Sequence, residues 1–380
     1  MNRKSDLYRY RKYITGCGHE IVDKEKDADT ILVWACAFRK DYLENSYYLL
    51  NETQKNYNAE VILCGCLPSI DPEGVKHRYK GRYFPWKEQE KALPELFGFS
   101  ENGGLEETER TFVEVAIENT EEYKKTHIDS KVVFHDQFMK LFISEGCSLR
   151  CSYCSDIIAF PEYKSFPLEI LVAETRRVFK LTGQNKILFC GDSIGDYGRD
   201  IGSSWVELVE KMLAIDESIQ VGFNNFNPLH LKKHLTRLST YLKSNKICFI
   251  DLPIQSASDR ILTLMERIYK VKDIDEIFAE INNTGFKELE TDVIIGFPSE
   301  TDGDFYKTVD FLIRHKPKYV QVSSYMDAPG APSNNFDSKN DMDTIEKRMA
   351  IIKDELDKYD ILFDSVGNNI VKDWPDLSVD

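Results

Sequence analysis

Phe142-Ile143-Ser144-Glu145-Gly146-Cys147-Ser148-Leu149-Arg150-Cys151-Ser152-Tyr153-Cys154 places three cysteines at C-x3-C-x2-C spacing directly after an apolar stretch. Three such thiolates can hold three irons of a four-iron cluster and leave the fourth iron without a protein ligand. An open iron can bind a small molecule and pass it an electron, which a closed electron-transfer cluster cannot do. The alternative is structural zinc. Zinc wants four ligands in paired clusters, and the nearest further Cys or His is His135. That favours the open cluster.

Downstream of position 136 the pattern is strand then helix, repeated. Apolar runs predict strands at Met139–Ile143, Lys186–Phe189, Ile219–Phe223, Ile247–Asp251, Glu288–Ile295 and Tyr319–Ser323. Helical spacing predicts Leu168–Leu181, Ser204–Ile215, Pro228–Tyr241, Ala257–Arg267, Ile274–Asn283 and Asp302–His315. Six such units make a partial (β/α)6 barrel, whose chemistry belongs at the C-terminal strand ends. The cysteine loop follows the first of these strands. A charged amphipathic helix, Asp341–Asp360, comes before a short polar tail.

Upstream, Ser5–Thr15 has helical spacing, Thr30–Trp34 and Glu60–Leu63 are Val/Ile-rich runs, and Asp41–Asn56 is a helix between them. Strand, helix, strand in that order gives a right-handed crossover and a parallel sheet. The predicted organisation is a small α/β domain over 1–99, a polar linker over 100–135 with one short strand at Thr111–Ala116, the barrel over 136–335, and a helix and tail over 336–380.

Composition narrows the function. The formal net charge of −15 over 380 residues argues against a partner bound through a phosphate backbone. The basic start, Arg3, Lys4, Arg9, Arg11 and Lys12, reads as one solvated helix face. No apolar run follows it as in a signal peptide, and no stretch is long enough to span a bilayer, so a cytoplasmic location is expected. Nine scattered cysteines then read as metal ligands and buried thiols in a reducing compartment. His230 and His234 stand i, i+4, but with no third ligand in view they read as surface or capping residues.

The cysteine loop resembles that of the radical S-adenosylmethionine (SAM) superfamily, and further motifs narrow the resemblance to its methylthiotransferases. Cys147 to Cys154 matches Cys-x-x-x-Cys-x-Tyr-Cys. Leu188-Phe189-Cys190-Gly191-Asp192 followed by Tyr197-Gly198 stands where the family has Leu-Thr-Gly-Gln and Tyr-Gly. Pro253-Ile254-Gln255-Ser256-Ala257-Ser258-Asp259 with Met265-Glu266-Arg267, and Thr291-Asp292-Val293-Ile294-Ile295-Gly296-Phe297-Pro298-Ser299-Glu300-Thr301, complete the ordered set. The resemblance covers about residues 1–335. It implies a flavodoxin-like parallel-sheet domain followed by a partial (β/α)6 radical SAM barrel. It also implies that Cys147, Cys151 and Cys154 ligate a [4Fe-4S] cluster that binds SAM. Tyr153, Gly191, Asp192, Gln255 and Gly296 become the cofactor-binding candidates. Cys190 and Cys248 read as core thiols.

The family carries a second cluster on three N-terminal cysteines. Cys36 and Cys66 match two of them. The first has no counterpart, the chain beginning at Met1-Asn2. Cys64 lies two residues before Cys66, on the same face if the strand is regular, and Cys36, Cys66 and Cys64 are the expected set. The alternatives are that Cys64 is a core thiol with the cluster absent or incompletely ligated, or that Cys17, at the far end of the first helix, contributes. The family's arginines are replaced in Phe160-Pro161-Glu162-Tyr163-Lys164-Ser165 and Tyr325-Met326-Asp327-Ala328-Pro329, and its C-terminal RNA-binding barrel has no counterpart.

The resemblance implies methylthio insertion at an unactivated C–H bond. One SAM supplies the methyl group, a second yields the 5′-deoxyadenosyl radical, and an electron donor such as flavodoxin or ferredoxin serves the cluster. The acidic balance points to a peptide or protein substrate. The alternatives are a tRNA adenosine, or a non-catalytic iron–sulfur binding protein.

Overall fold

The computed structural model describes residues 4–99, 105 and 138–366. Its N-terminal unit runs α1 (Lys4–Gly16), β1 (Thr30–Ala35), α2 (Lys40–Asn56), β2 (Glu60–Gly65), α3 (Leu67–Ile70), α4 (Pro72–Arg78) and α5 (Gln89–Phe97). β1 and β2 pair in parallel, from Thr30 opposite Glu60 to Ala35 opposite Gly65. Both faces of β1 are covered, as in a buried parallel sheet. Ile31 and Val33 pack with Leu43, Tyr47 and Leu50. Leu32 and Trp34 pack with Tyr10 and Tyr13 of α1, and the Tyr10 and Trp34 rings stack at 5.3 Å.

The basic start is not wholly solvated. Arg9 is buried, paired at 2.8 Å with Glu90 and donating to the Leu105 carbonyl. The α1 stripe that buries Tyr10 and Tyr13 takes Arg9 in with it. The expected strand Thr111–Ala116 lies outside the described residues, as does the expected linker apart from Leu105.

The second unit runs β3 (Met139–Phe142), β4 (Ser144–Glu145), α6 (Asp156–Ala159), β5 (Lys164–Ser165), α7 (Leu168–Thr182), β6 (Lys186–Cys190), α8 (Trp205–Leu213), β7 (Gln220–Phe223), α9 (Pro228–Lys232), α10 (Leu235–Lys243), β8 (Ile247–Asp251), α11 (Asp259–Leu264), α12 (Val271–Asn283), β9 (Leu289–Ile295), α13 (Asp302–His315), β10 (Tyr319–Ser324), α14 (Met342–Lys358) and β11 (Leu362–Val366). Seven of these strands form one parallel sheet in the order β11-β10-β9-β8-β7-β6-β3. This is the partial barrel, lengthened by β11 beyond the six expected strands. The single predicted helix Pro228–Tyr241 is two, because the backbone leaves helical geometry at His234 (φ −125°), whose ring sits edge-on to Trp205 at 5.3 Å.

The two units share a core. Ala159 and Phe160, at the end of α6, pack into the N-terminal cluster with Leu43, Leu67 and Tyr79. Polar contacts reinforce the seam: Trp86 Nε1 donates to Glu145 at 3.2 Å, the Lys40 N–H to the Asp327 carbonyl at 3.1 Å, and Ser155 Oγ to the Phe38 carbonyl at 3.3 Å. Among the described residues no helix is long and apolar enough to cross a membrane.

Candidate active site

The cysteine loop is closed at its base by the antiparallel pair β4–β5, with Ser144 opposite Ser165 and Glu145 opposite Lys164. The chain turns into the loop at Gly146, whose φ of +80° favours glycine. A Cβ there would lie 2.3 Å from the Glu162 carbonyl oxygen, so no other residue fits. Its N–H donates to Asp192 Oδ2 at 2.8 Å. Asp192 therefore spends one oxygen on holding the loop. Gly191 makes room for Ser144: a Cβ on it would be 2.8 Å from Ser144 Oγ.

One turn further, Asp196 is fully buried and gathers the loop from the side. Its carboxylate accepts from Ser148 Oγ within the loop, from Ser193 Oγ at 2.8 Å and from Arg199 at 2.7 Å, with His230 Nε2 3.7 Å away. Burial pushes its pKa up, but the donors from Ser148, Arg199 and Ser193 outweigh that and leave it below the usual carboxylate range. His230 Nε2 lies near Asp196 but beyond hydrogen-bond distance, and His234 lies on Trp205. The helix break separates the two histidines.

Cys147, Cys151 and Cys154 are free thiols, each partly exposed. Burial pushes Cys147 up to about 11, against the Leu149 N–H that reaches its sulfur at 3.4 Å. Burial and then Asp156 raise Cys154. Arg267, between α11 and α12, reaches across to this group. Its Nη1 donates to Cys151 Sγ at 3.4 Å and to the Tyr153 hydroxyl at 3.3 Å, its Nη2 to the Pro253 carbonyl at 3.0 Å, and its Nε to the Tyr269 hydroxyl at 2.8 Å. Among the described residues no three Cys, His, Asp or Glu side chains converge where a single metal ion would sit. A four-iron cube places its thiolates on separate irons, and three free cysteines on one pinned loop, with a cation on one sulfur, are a donor set suited to it.

The N-terminal cysteines divide. Cys36 and Cys66 each follow the last residue of a strand, and those last residues, Ala35 and Gly65, are paired, with the Cys66 N–H donating to the Ala35 carbonyl at 3.0 Å. Cys36 faces the barrel. Burial raises its thiol, the Phe38 N–H opposes this, and Asp156 of α6 adds to it. Cys66 packs with Ile158, Ala159 and Phe160 in the shared core. Cys64 does not join them. The strand is not regular, because Gly65 has φ +92° and Cys66 already has helical angles, so the two-residue alternation ends at Gly65. Cys64 is 1% exposed and burial pushes it up to about 12. Cys17 packs with the α1 core and points to the Gly98 carbonyl at 3.4 Å.

Gln255 sits beyond the end of β8 with φ +64°, its N–H donating to the Asp292 carbonyl and its own carbonyl accepting from the Ile294 N–H. A buried non-glycine held there is backbone strain of the type found at ligand sites. Gly296 has a structural reason: a Cβ would lie 2.4 Å from Ile345 of α14, and its N–H donates at 2.7 Å to Glu300. Cys190 is a core thiol, raised by burial to about 12. Cys248 is partly exposed and donates to the Val221 carbonyl.

Arg267 and Asp292 lie in the family-like motifs, whereas Asp196, Asp251 and Glu290 carry no motif signal. Asp292 is raised well above the carboxylate range by burial, then by Asp251 and Glu290. The available signal was the polar alternation Glu290, Asp292 in β9 and Gln321 in β10, in a sheet type whose strands are otherwise apolar on both faces.

The family profile described as the Radical SAM superfamily matches residues 141–312, and that of the Uncharacterized protein family UPF0004 matches residues 1–83. A probable threonylcarbamoyladenosine tRNA methylthiotransferase of Pyrococcus horikoshii is 28% identical over 326 residues, 82% of this chain and 72% of that protein. This chain belongs to the radical SAM methylthiotransferase family. As a radical SAM methylthiotransferase it is a transferase. The human threonylcarbamoyladenosine tRNA methylthiotransferase is 27% identical over 83% of this chain, which spans about half of that protein's length (54%). The radical SAM methyltransferase TsrM of Kitasatospora setae, solved with cobalamin and a [4Fe-4S] cluster, superposes with a TM-score of 0.54 at 13% identity, covering 87% of this chain and 69% of that one; this likeness speaks for the fold alone. The names of the relatives favour the tRNA alternative over the expected peptide or protein substrate. The net charge of −15 sums the whole chain, whereas phosphate contacts are local.

Proposed function

We propose that this methylthiotransferase acts on tRNA, at an adenosine of the threonylcarbamoyl-bearing kind that its relatives are named for. The observation that carries the reading is the juxtaposition at the seam: the C-x3-C-x2-C loop at the end of β3 is bonded to the segment that follows Cys36 through Ser155 and Phe38. Cys147, Cys151 and Cys154 would hold the SAM-binding cluster, and Cys36 and Cys66 would supply two ligands to the second. When bound, the first cluster would supply the electron that cleaves SAM to a hydrogen-abstracting radical; the two cysteines found at the second site leave its ligand set short, so no sulfur step is assigned to it. The chain's own residues do the positioning. Gly146, Asp192 and Asp196 fix the loop, and Arg267 fixes Cys151 and Tyr153 relative to the Pro253 carbonyl. Gln255 offers a side chain at the barrel mouth from a strained backbone. Asp292 stands among carboxylates, and burial, Asp251 and Glu290 favour its neutral form.

The test is anaerobic incubation of the iron-reconstituted chain with dithionite, SAM and threonylcarbamoyladenosine-containing tRNA. Nucleoside mass spectrometry should find a methylthio adduct, and the Cys147→Ala/Cys151→Ala/Cys154→Ala variant should form neither it nor 5′-deoxyadenosine. Formation of 5′-deoxyadenosine without any tRNA adduct would overturn the substrate. No 5′-deoxyadenosine at all would favour a non-catalytic iron–sulfur protein.

A further inference from the structure

The loop from β1 to α2 leaves one aromatic ring at the surface between the two cysteine sites. Ala37 is fully buried and Cys36 partly so, yet Phe38 is 38% exposed. Its ring lies 4.6 Å from that of Tyr42, tilted by 39°. The Arg39 guanidinium is 5.9 Å from the Phe38 ring and 5.6 Å from the Tyr42 ring, and is held in place by Asp41. The loop is fixed to the barrel on both sides: Ser155, next to Cys154, donates to the Phe38 carbonyl, and the Lys40 N–H donates to the Asp327 carbonyl. The Phe38 ring is therefore displayed from an anchored backbone, two residues from Cys36 and across one hydrogen bond from the SAM-cluster loop.

An exposed phenyl ring backed by a second aromatic and a planar cation is the composition that stacks unpaired nucleobases. The guanidinium reinforces it by its attraction to ring faces, while its charge is paired with Asp41. We propose that Phe38, supported by Tyr42 and Arg39, is a stacking surface for the unpaired base adjacent to the adenosine that is modified. This inference rests on the tRNA reading above and adds to it a contact that selects loop over duplex. A base in a duplex has no free face to offer, whereas a splayed loop base does.

The experiment uses the full chain, iron-reconstituted and at low salt, with an anticodon stem-loop RNA that carries 2-aminopurine next to the target adenosine. Stacking on an aromatic ring quenches 2-aminopurine fluorescence. Wild type should quench on binding. Phe38→Leu should lose most of the quench and bind roughly 5- to 150-fold more weakly, the span that one base–aromatic stack carries. Phe38→Trp should restore both, which a folding defect at this position would not allow. In turnover, Phe38→Leu should raise KM far more than it lowers kcat. If wild type binds the RNA and Phe38→Leu quenches and binds as wild type does, the stacking surface is wrong while the substrate stands. If wild type itself does not bind the RNA, the tRNA reading falls and the stacking surface with it.

Discussion

Replacing Asp196 is the most direct probe of how the cysteine loop is held. The carboxylate is fully buried and accepts from Ser148, Ser193 and Arg199. A hydrogen bond to a charged group contributes about 1.5–3 kcal/mol, so the two serine donors together are worth roughly 3–6 kcal/mol. Arg199 adds at most about 1 kcal/mol, because its side chain is 67% exposed and solvent screens the pair. Asp196→Ala should therefore lower unfolding free energy by about 4 kcal/mol, measured by urea denaturation of the reduced, iron-free chain. Asp196→Asn keeps the shape and one acceptor oxygen, and should cost about half as much. Because the loop frees Ser148 only in the alanine variant, iron uptake on reconstitution should fall for Ala and stay near wild type for Asn. The pH dependence carries the sign. The folded pKa lies below the ordinary value, so the stabilisation is present above about pH 4 and is lost as pH falls through the folded value. The carboxylate's own contribution should be flat from pH 7 to pH 5, any slope there coming from the neighbouring His230, whose pKa burial lowers and Asp196 raises. A gap under about 1 kcal/mol at pH 7 would refute the hub.

Three further outcomes follow from the same geometry. Gly146→Ala should cost several kcal/mol and abolish iron incorporation, since its Cβ meets the Glu162 carbonyl at 2.3 Å in a backbone of positive φ; uptake like wild type would contradict the turn. Arg267→Met should destabilise the iron-free chain by about 1–3 kcal/mol by leaving the Tyr153 hydroxyl without its partner and the Pro253 carbonyl with Tyr269 alone, and Arg267→Lys should recover only part, because an ammonium cannot span four partners; full rescue by lysine would count against the fork. Glu300 is buried and raised to about 7, burial being the main cause, so the folded state holds a proton that the unfolded state releases near pH 4.5. Stability should decline as pH rises from 5 through 7, by up to about 3 kcal/mol, and Glu300→Gln should flatten that slope in pH-dependent denaturation.

What could be read in advance depended on how local the signal was. The six barrel strands were legible because each is a Val/Ile/Phe-rich run between helices. β11 was not, because Ile361-Leu362-Phe363 is too short an apolar run after a helix to stand out, and only pairing with β10 makes it a strand. The C-x3-C-x2-C triplet and its place after a strand were legible from spacing. Cys64 was misplaced because side-chain alternation assumes a regular strand, and Gly65, with its positive φ, ends that regularity one residue too soon. Gly296 stood out as a cofactor candidate, and its packing against α14 could not be read beside that, since Ile345 comes from a segment some fifty positions away that no motif mentions. Arg267 was visible as a letter in a motif, but its partners Cys151 and Pro253 meet it only through the closure of the barrel.

The seam also constrains the order in which the molecule can be made. The N-terminal unit finishes its apolar cluster with Ala159 and Phe160, residues that leave the ribosome long after its own two strands. At roughly 5–20 residues per second, the first unit must wait for several seconds with that corner uncovered. It then acquires its last core residues from the same loop that brings Cys147, Cys151 and Cys154. A nascent chain halted before Phe160 should stay protease-sensitive in α2 and α3, and one released after the loop should not. Completion of the first unit and presentation of the three thiols are thus a single event in biosynthesis.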